Sequence, residues 1–294
     1  NSASGQSAST WLVPLEGELT KMQAERLIET ADRFYYKTDW PVRMLIQHGD
    51  EQQVIEALQE ARSSADPETS TAVNIALFCL DIEPDDAWNS ILGSPALSFG
   101  RPVGLLLNEL NPDEDIDKID QLRSIDPFIV RRFAFIPAVL DDLIENAEKA
   151  VNINANVRYV QALGEIPKYD SSLRCDSRVL DVLMTVAEEG SVVVADDAIQ
   201  SIGRHGLCSG SFSFLEHIYE TKSSELLQYY AIGWIVLVAD KEQIYPYLLE
   251  YPGLLGPACL VYGADDDLIT LIAANLEEEP PESFLGFIAI LKLY

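Results

Sequence analysis

The chain has 294 residues, of which 48% are apolar, so it has enough apolar surface for a sizeable core and is not a disordered chain. Its 20 Lys and Arg stand against 48 Asp and Glu, which gives a formal net charge of -28. Nucleic acids and anionic membranes bind proteins that offer cations, so this charge argues against both ligands. The same charge attracts a basic protein or peptide, although acidity also serves solubility alone.

The cysteines lie far apart in the chain, and no two of them form a CxxC pair. This spacing predicts no disulfide framework and favours a reducing compartment, so we expect a cytoplasmic protein. A signal peptide removed upstream of Asn1 is the alternative, and we interpret residues 1–10 as a tag remnant or a trimmed terminus. The longest apolar run, residues 231–239, is about half as long as a membrane span. The cysteines are Cys79, Cys175, Cys208 and Cys259.

Helical periodicity dominates the chain. It begins at residues 23–36, where apolar residues follow the three-and-four spacing of an amphipathic helix. One unit then recurs: an apolar helix, a short break at Gly, Pro or Asp, and a second helix that opens with acids. The predicted first helices of these pairs span residues 42–49, 73–80, 103–110, 130–136, 157–166, 194–206, 229–239 and 257–263, and a last apolar helix is predicted over 284–293.

The breaks recur at intervals of roughly 30 residues, which is the period of solenoid repeats. A single helix pair cannot bury both of its faces, whereas stacked pairs share one continuous core. We therefore expect an all-α fold, a solenoid of about eight helix pairs that forms a single domain over residues 21–294. Residues 1–20 are an N-terminal extension, and we expect its apolar residues near Trp11 to cap the open end of the array.

Three segments resemble a known repeat family: VRYVQALGEI at 157–166, VADDAIQSIGRHG at 194–206 and VRMLIQHGDEQQVIEAL at 42–58. They are similar to the short HEAT repeats found also in phycobilisome-lyase-like proteins, which have Val-Arg near the start of an apolar helix and Leu-Gly-x-Ile-Gly near its end. The resemblance implies a right-handed α-solenoid whose second helices line the concave face. It also implies a scaffold, adaptor or binding protein, with an enzyme as the less common outcome.

Clustered carboxylates stand at the starts of the predicted second helices, where an acid caps exposed N–H groups and favours the helix dipole. If these helices line one groove, their acids form a stripe, beside which tyrosines such as Tyr245 and Tyr251 recur as candidate binding hot spots. We therefore predict a non-catalytic protein-binding module (immunity-like, inhibitor-like or an assembly adaptor) that binds a basic protein or peptide. The predicted partner-binding residues are Trp88, Asp115, Asp117, Asp141, Asp142, Glu145, Asp181, Glu216, Tyr219, Tyr247, Asp266 and Asp267.

Residues arranged for metal binding or catalysis are sparse. His48, His205 and His217 have no second ligand at metal-binding spacing, and the acidic clusters lack the Gly and terminal Glu of an EF-hand, so we expect no metal and no cofactor. The alternative function is a lyase-like or other enzyme on the same scaffold, with Cys208 or an acid in the groove as its reactive group and His205 as a candidate base. That alternative requires both side chains and an acid to converge in a pocket.

Overall fold

The computed structural model describes residues 18–97 and 101–263, together with 266 and 270. All regular structure in these ranges is helical, which confirms the prediction of an all-α fold. The chain divides into two compact units, Asn1–Ile125 and Asp126–Tyr294. Among the described helices, none has the combination of length and apolar character that a membrane span requires.

The first unit is built from the described helices α1 (Lys21–Phe34), α2 (Trp40–Gln47), α3 (Gln52–Ala61), α4 (Pro67–Cys79), α5 (Pro84–Leu92), α6 (Val103–Glu109) and α7 (Ile116–Ile125). Helices α2, α4 and α6 pack side by side in one row, while α1 contacts α3 and α5 contacts α7. Helix α1 begins at a capping box, in which Thr20 and Gln23 satisfy each other's backbone N–H groups.

The second unit continues with α8 (Pro137–Glu148), α9 (Val157–Glu165), α10 (Ser177–Glu189), α11 (Val192–His205), α12 (Ser211–Thr221), α13 (Glu225–Val238), α14 (Lys241–Glu250) and α15 (Leu255–Tyr262). We call α9, α11, α13 and α15 the first helices, and α8, α10, α12 and α14 the second helices. Consecutive first helices contact one another, as do α8 with α10 and α10 with α12, so the unit has two layers. Contacts between neighbouring pairs join residues 31, 37 and 42 positions apart.

Most predicted helices lie within a few residues of those observed, with one difference at residues 130–136. There the chain forms a 3-10 helix, Ile129–Phe133, instead of an α-helix. Pro137 disfavours the α conformation at Ile136, whose backbone is extended, and so leaves room for only a short turn. The predicted second helix after α15, the last helix at 284–293 and the cap near Trp11 lie outside the described residues, apart from Thr270.

Two glycines set the spacing of the first helices. A Cβ atom on Gly164 of α9 would lie 2.3 Å from Oγ and 2.8 Å from Cα of Ser201 in α11. A Cβ atom on Gly203 of α11 would lie 2.3 Å from the indole ring of Trp234 in α13. Both contacts are closer than any side chain allows, so the glycines of the repeat pattern permit neighbouring helices to approach.

A disulfide joins Cys175, which precedes α10, to Cys208, which follows α11. The prediction that the chain has no disulfide was therefore wrong. The two cysteines are 33 residues apart, about one repeat, and the stacking of helix pairs brings their Cα atoms to 5.5 Å. Local spacing could not show this pairing, because it depends on the tertiary packing of consecutive repeats. Cys79 and Cys259 are free and half-buried.

The close contacts predict that Gly164→Ala and Gly203→Ala each lower the free energy of unfolding by about 1–3 kcal/mol, because the added methyl group forces α11 away from its neighbour. The measurement is urea unfolding, monitored by far-UV circular dichroism. The control is Gly104→Ala in α6, where a Cβ atom meets nothing within 4 Å and where alanine favours the helix by about 0.5–1 kcal/mol. Equal destabilisation by all three variants would contradict the close-packing account.

The disulfide predicts that oxidised protein is more stable than reduced protein by about 3 kcal/mol, because the cross-link restricts the unfolded chain over a loop of 33 residues. The Cys175→Ser, Cys208→Ser double variant should match reduced wild type. Urea unfolding with and without a phosphine reductant measures the free energy of unfolding of the wild type and of the double variant. The reductant must leave the stability of the double variant unchanged. If it leaves the stability of the wild type unchanged as well, the cross-link does not contribute to stability.

Candidate functional site: an acidic row on the second helices

The acids of the second unit are segregated onto its second helices. These four helices carry eleven Asp and Glu against two Lys and Arg, whereas the four first helices carry four acids and two cations. Helices α11 and α13 have first helices on both sides and bury much of their surface, which disfavours charge. We call the eleven acids the acidic row: Asp141, Asp142, Glu145, Glu148, Asp181, Glu188, Glu189, Glu216, Glu220, Glu242 and Glu250.

On α8 and α10, part of the acidic row is neutralised by nearby cations. Arg178 Nη1 donates to Asp141 Oδ1 at 2.9 Å, and Lys149 Nζ donates to Glu145 Oε1 at 2.9 Å. Asp142 accepts from the Asn146 amide at 3.1 Å. Asp181 lies exposed one turn after Arg178, and no ion pair to it occurs within the described ranges. This half of the row therefore keeps part of its negative charge.

Between α12 and α14, three of the predicted partner-binding residues meet. Tyr247 Oη donates to Glu216 Oε1 at 2.7 Å, and Tyr251 Oη donates to Glu250 Oε1 at 3.0 Å. The hydroxyl of Tyr219 is hydrogen-bonded to that of Tyr251 and also donates to Glu250 Oε1 at 3.4 Å. We call these five residues the tyrosine cluster. In the described part of the chain, no Lys, Arg or His forms an ion pair with Glu216 or Glu250.

The rings of the tyrosine cluster stand nearly perpendicular to one another. Tyr219 lies edge to face with Tyr247, at 6.3 Å between ring centroids, and with Tyr251, at 5.9 Å. Burial and the hydrogen bond to Glu216 raise the pKa of Tyr247, and the bonds to Tyr219 and Glu250 raise the pKa of Tyr251. Both phenols thus remain protonated donors, and the carboxylates provide the negative charge.

The remaining predicted residues lie elsewhere. Trp88 is only 6% exposed: its Nε1 donates to Gln121 Oε1 at 2.7 Å and its ring contacts Phe78, so it belongs to the core of the first unit. Asp115 accepts from the Asn111 backbone N–H and from Lys118, which together outweigh burial and lower its pKa. Asp117 on α7 and Asp266 are exposed, and Asp267 lies outside the described residues.

Sequence reasoning missed the polar face of the first helices. Arg158 Nη2 donates to Asp126 Oδ2 at 2.7 Å, Gln161 Nε2 donates to Asp197 Oδ1 at 3.0 Å, and Arg204 pairs with Glu165 at 3.4 Å. These side chains are mostly half-buried, and the helical pattern could have shown that they share one face but not that they pair. Because its charges compensate one another, this face offers less net charge to a partner than the acidic row.

Asp196 and Asp197 on α11 are half-buried members of this face. Burial raises the pKa of both carboxyl groups, and the hydrogen bonds from Gln200 to Asp196 and from Gln161 to Asp197 act against that shift. The ionised carboxylates therefore cost the folded state some stability.

The candidate nucleophile Cys208 and the candidate base His205 both make structural contacts. Cys208 is in the disulfide with Cys175, so it has no thiol to ionise. His205 is fully buried, with Nε2 3.0 Å from Leu163 O and Nδ1 against Arg174 O. Burial lowers the pKa of His205, although these two carbonyl groups act in the opposite direction. The pair holds α9, the Arg174 loop and α11 together.

One group of acids in the first unit has the spacing of metal ligands. Asp32, Asp66 and Glu68 each place a carboxylate oxygen within 4.8 Å of the others, and Asp32 also lines an open cleft of about 630 Å³. Asp66 caps α4 by accepting from Thr69 N at 2.6 Å, and Glu68 accepts from Tyr36 Oη at 2.8 Å. These hydrogen bonds account for the positions of the Asp66 and Glu68 carboxylates without a bound ion.

Comparison with protein-family models found no match, and comparisons with curated proteins and with solved structures found none either.

The burial of Asp196 predicts that Asp196→Asn stabilises the protein at pH 7. The folded-state pKa lies above the unfolded value, so the wild type gains stability as the pH falls through the folded pKa, and the advantage of the variant disappears by about pH 4. Thermal unfolding at both pH values measures this difference. Asp181→Asn, an exposed acid on α10, controls for the general loss of one negative charge, and an equal gain from both variants would contradict the burial argument.

Proposed function

We propose that the protein is a non-catalytic binding module and that the acidic row binds a basic protein partner. The observation that supports this proposal is the segregation of eleven acids onto the second helices. Burial keeps most charge off the first helices, so the acids of the second unit are concentrated on its second helices. A one-sided negative surface attracts a cationic partner over a distance of about 8–10 Å at physiological salt and orients its approach.

The second unit fits a HEAT-like solenoid, which we propose as its architecture. The support is its two layers of helices, the offset of about one repeat between contacting residues, and the glycines that allow the first helices to approach. In such an array the second helices share one surface, so acids from successive repeats add up to an extended site. An immunity-like inhibitor and an assembly adaptor would both use a surface of this kind.

The enzyme alternative is weakened in its Cys208–His205 form, because both residues have structural roles. The free thiol of Cys79 does not replace the nucleophile, since burial raises its pKa to about 12. The disulfide also bears on location. Disulfides persist in oxidising compartments, so we favour such a compartment over the cytoplasm that the cysteine spacing first suggested.

The test is capture of partners from source lysate at low and high salt, with a variant that neutralises part of the acidic row. In the row variant Asp181 becomes Asn, and Glu188, Glu216 and Glu220 become Gln. We expect one basic protein to be retained by the wild type at low salt, released at high salt and weakened at least tenfold by the row variant, because its electrostatic contacts are lost.

A matched control carries the same change of charge in the first unit: Glu25→Gln, Glu29→Gln, Glu56→Gln and Asp86→Asn, all exposed. It should retain the partner as the wild type does. If both variants lose the partner equally, net charge rather than the acidic row controls binding. If the wild type captures no specific basic protein, the proposed function is wrong.

A further inference from the structure

We propose that the tyrosine cluster is the specificity pocket of the acidic row and that it holds an arginine side chain of the basic partner. This inference rests on the proposed function and goes beyond it, because it assigns one recognised group to one place. Part of the row is paired with the chain's own cations, as Asp141 is with Arg178 and Glu145 is with Lys149. Like Asp181, the two carboxylates of the tyrosine cluster have no ion pair among the described residues, and the cluster also places tyrosine rings beside them, which favours a cation able to stack.

The geometry suits a planar cation. Tyr219 stands nearly perpendicular to Tyr247 and to Tyr251, at interplanar angles of 77° and 89°, so ring faces and edges point in more than one direction around the carboxylates. All three tyrosines are half-buried and Glu250 is exposed. A guanidinium can stack on a tyrosine face and donate paired N–H groups to a carboxylate in the same plane.

The tyrosine hydroxyls fix the carboxylates in advance. Tyr247 Oη occupies one acceptor position of Glu216, whereas Tyr251 Oη and Tyr219 Oη both donate to Oε1 of Glu250. An ionised carboxylate has about four acceptor positions, so Glu216 keeps positions on both oxygens for a two-pronged contact with arginine, and Glu250 keeps those on Oε2. Carboxylates that are already held in place lose less conformational entropy when the partner binds.

Arginine fits this cluster better than lysine. A lysine ammonium is a strongly hydrated point charge that gains from any acid, whereas guanidinium is weakly hydrated, planar and able to stack. The rest of the acidic row attracts both cations, and guanidinium can form a two-pronged contact with any of its exposed carboxylates. The part of the arginine preference that depends on the ring of Tyr251 therefore reports the tyrosine cluster, and a salt-sensitive affinity common to both peptides reports the acidic row.

The experiment measures fluorescence anisotropy of labelled octa-arginine and octa-lysine peptides with the full, oxidised chain. We expect wild type to bind octa-arginine about fivefold more tightly than octa-lysine. Tyr251→Leu should remove most of that preference because it takes away the ring, and Tyr251→Phe should retain most of it because the ring remains. Far-UV circular dichroism and thermal unfolding verify that each variant is folded.

Glu250→Gln and Glu242→Gln, which change one charge each on α14, form a second pair that does not depend on the tyrosine variants. We expect Glu250→Gln to weaken the binding of octa-arginine about fivefold, and Glu242→Gln to weaken it less than twofold. Equal affinity of wild type for the two peptides, or equal effects of the two glutamine variants, would overturn the arginine pocket. The proposed function would survive that result if capture of the basic protein still depended on the acidic row.

Discussion

Close packing of consecutive first helices is the contact on which the second unit depends. Gly164 and Gly203 allow α9, α11 and α13 to approach until a side chain of one helix meets the backbone of the next. A helix enclosed on two sides keeps little surface for charge, and several of the charges that it keeps are paired within the protein. The second helices retain the freer surface, so the acids accumulate there. The candidate site thus follows from how the core is packed.

The repeat offset explains why residues distant in sequence meet. One step along the array is 31–42 residues, and that step brings together Cys175 with Cys208 and Glu216 with Tyr247. Each of these contacts joins one helix pair to the next, so they stabilise the stacking and not the single pair. The same stacking that closes the disulfide therefore builds the tyrosine cluster.

The sequence predicted the helices well because apolar periodicity is a local signal and each amphipathic stripe is buried. It failed where the outcome depended on tertiary contacts. Trp88 was predicted to bind a partner because tryptophan is frequent at hot spots, yet it lies on the buried face of α5. Glu216, Tyr219 and Tyr247 were predicted and do meet, since they stand on second helices one repeat apart. The disulfide could not be predicted, because no local spacing encodes it.

The most direct test of the account is carboxyl footprinting, in which exposed Asp and Glu are amidated and counted by mass spectrometry with and without an arginine-rich peptide. If the acidic row is the binding surface, the peptide slows labelling of Asp181, Glu216 and Glu250 several-fold and leaves the exposed Glu25 and Asp86 unchanged. Uniform protection of all five carboxyl groups, or protection of the first unit alone, would contradict the assignment of binding to the second helices.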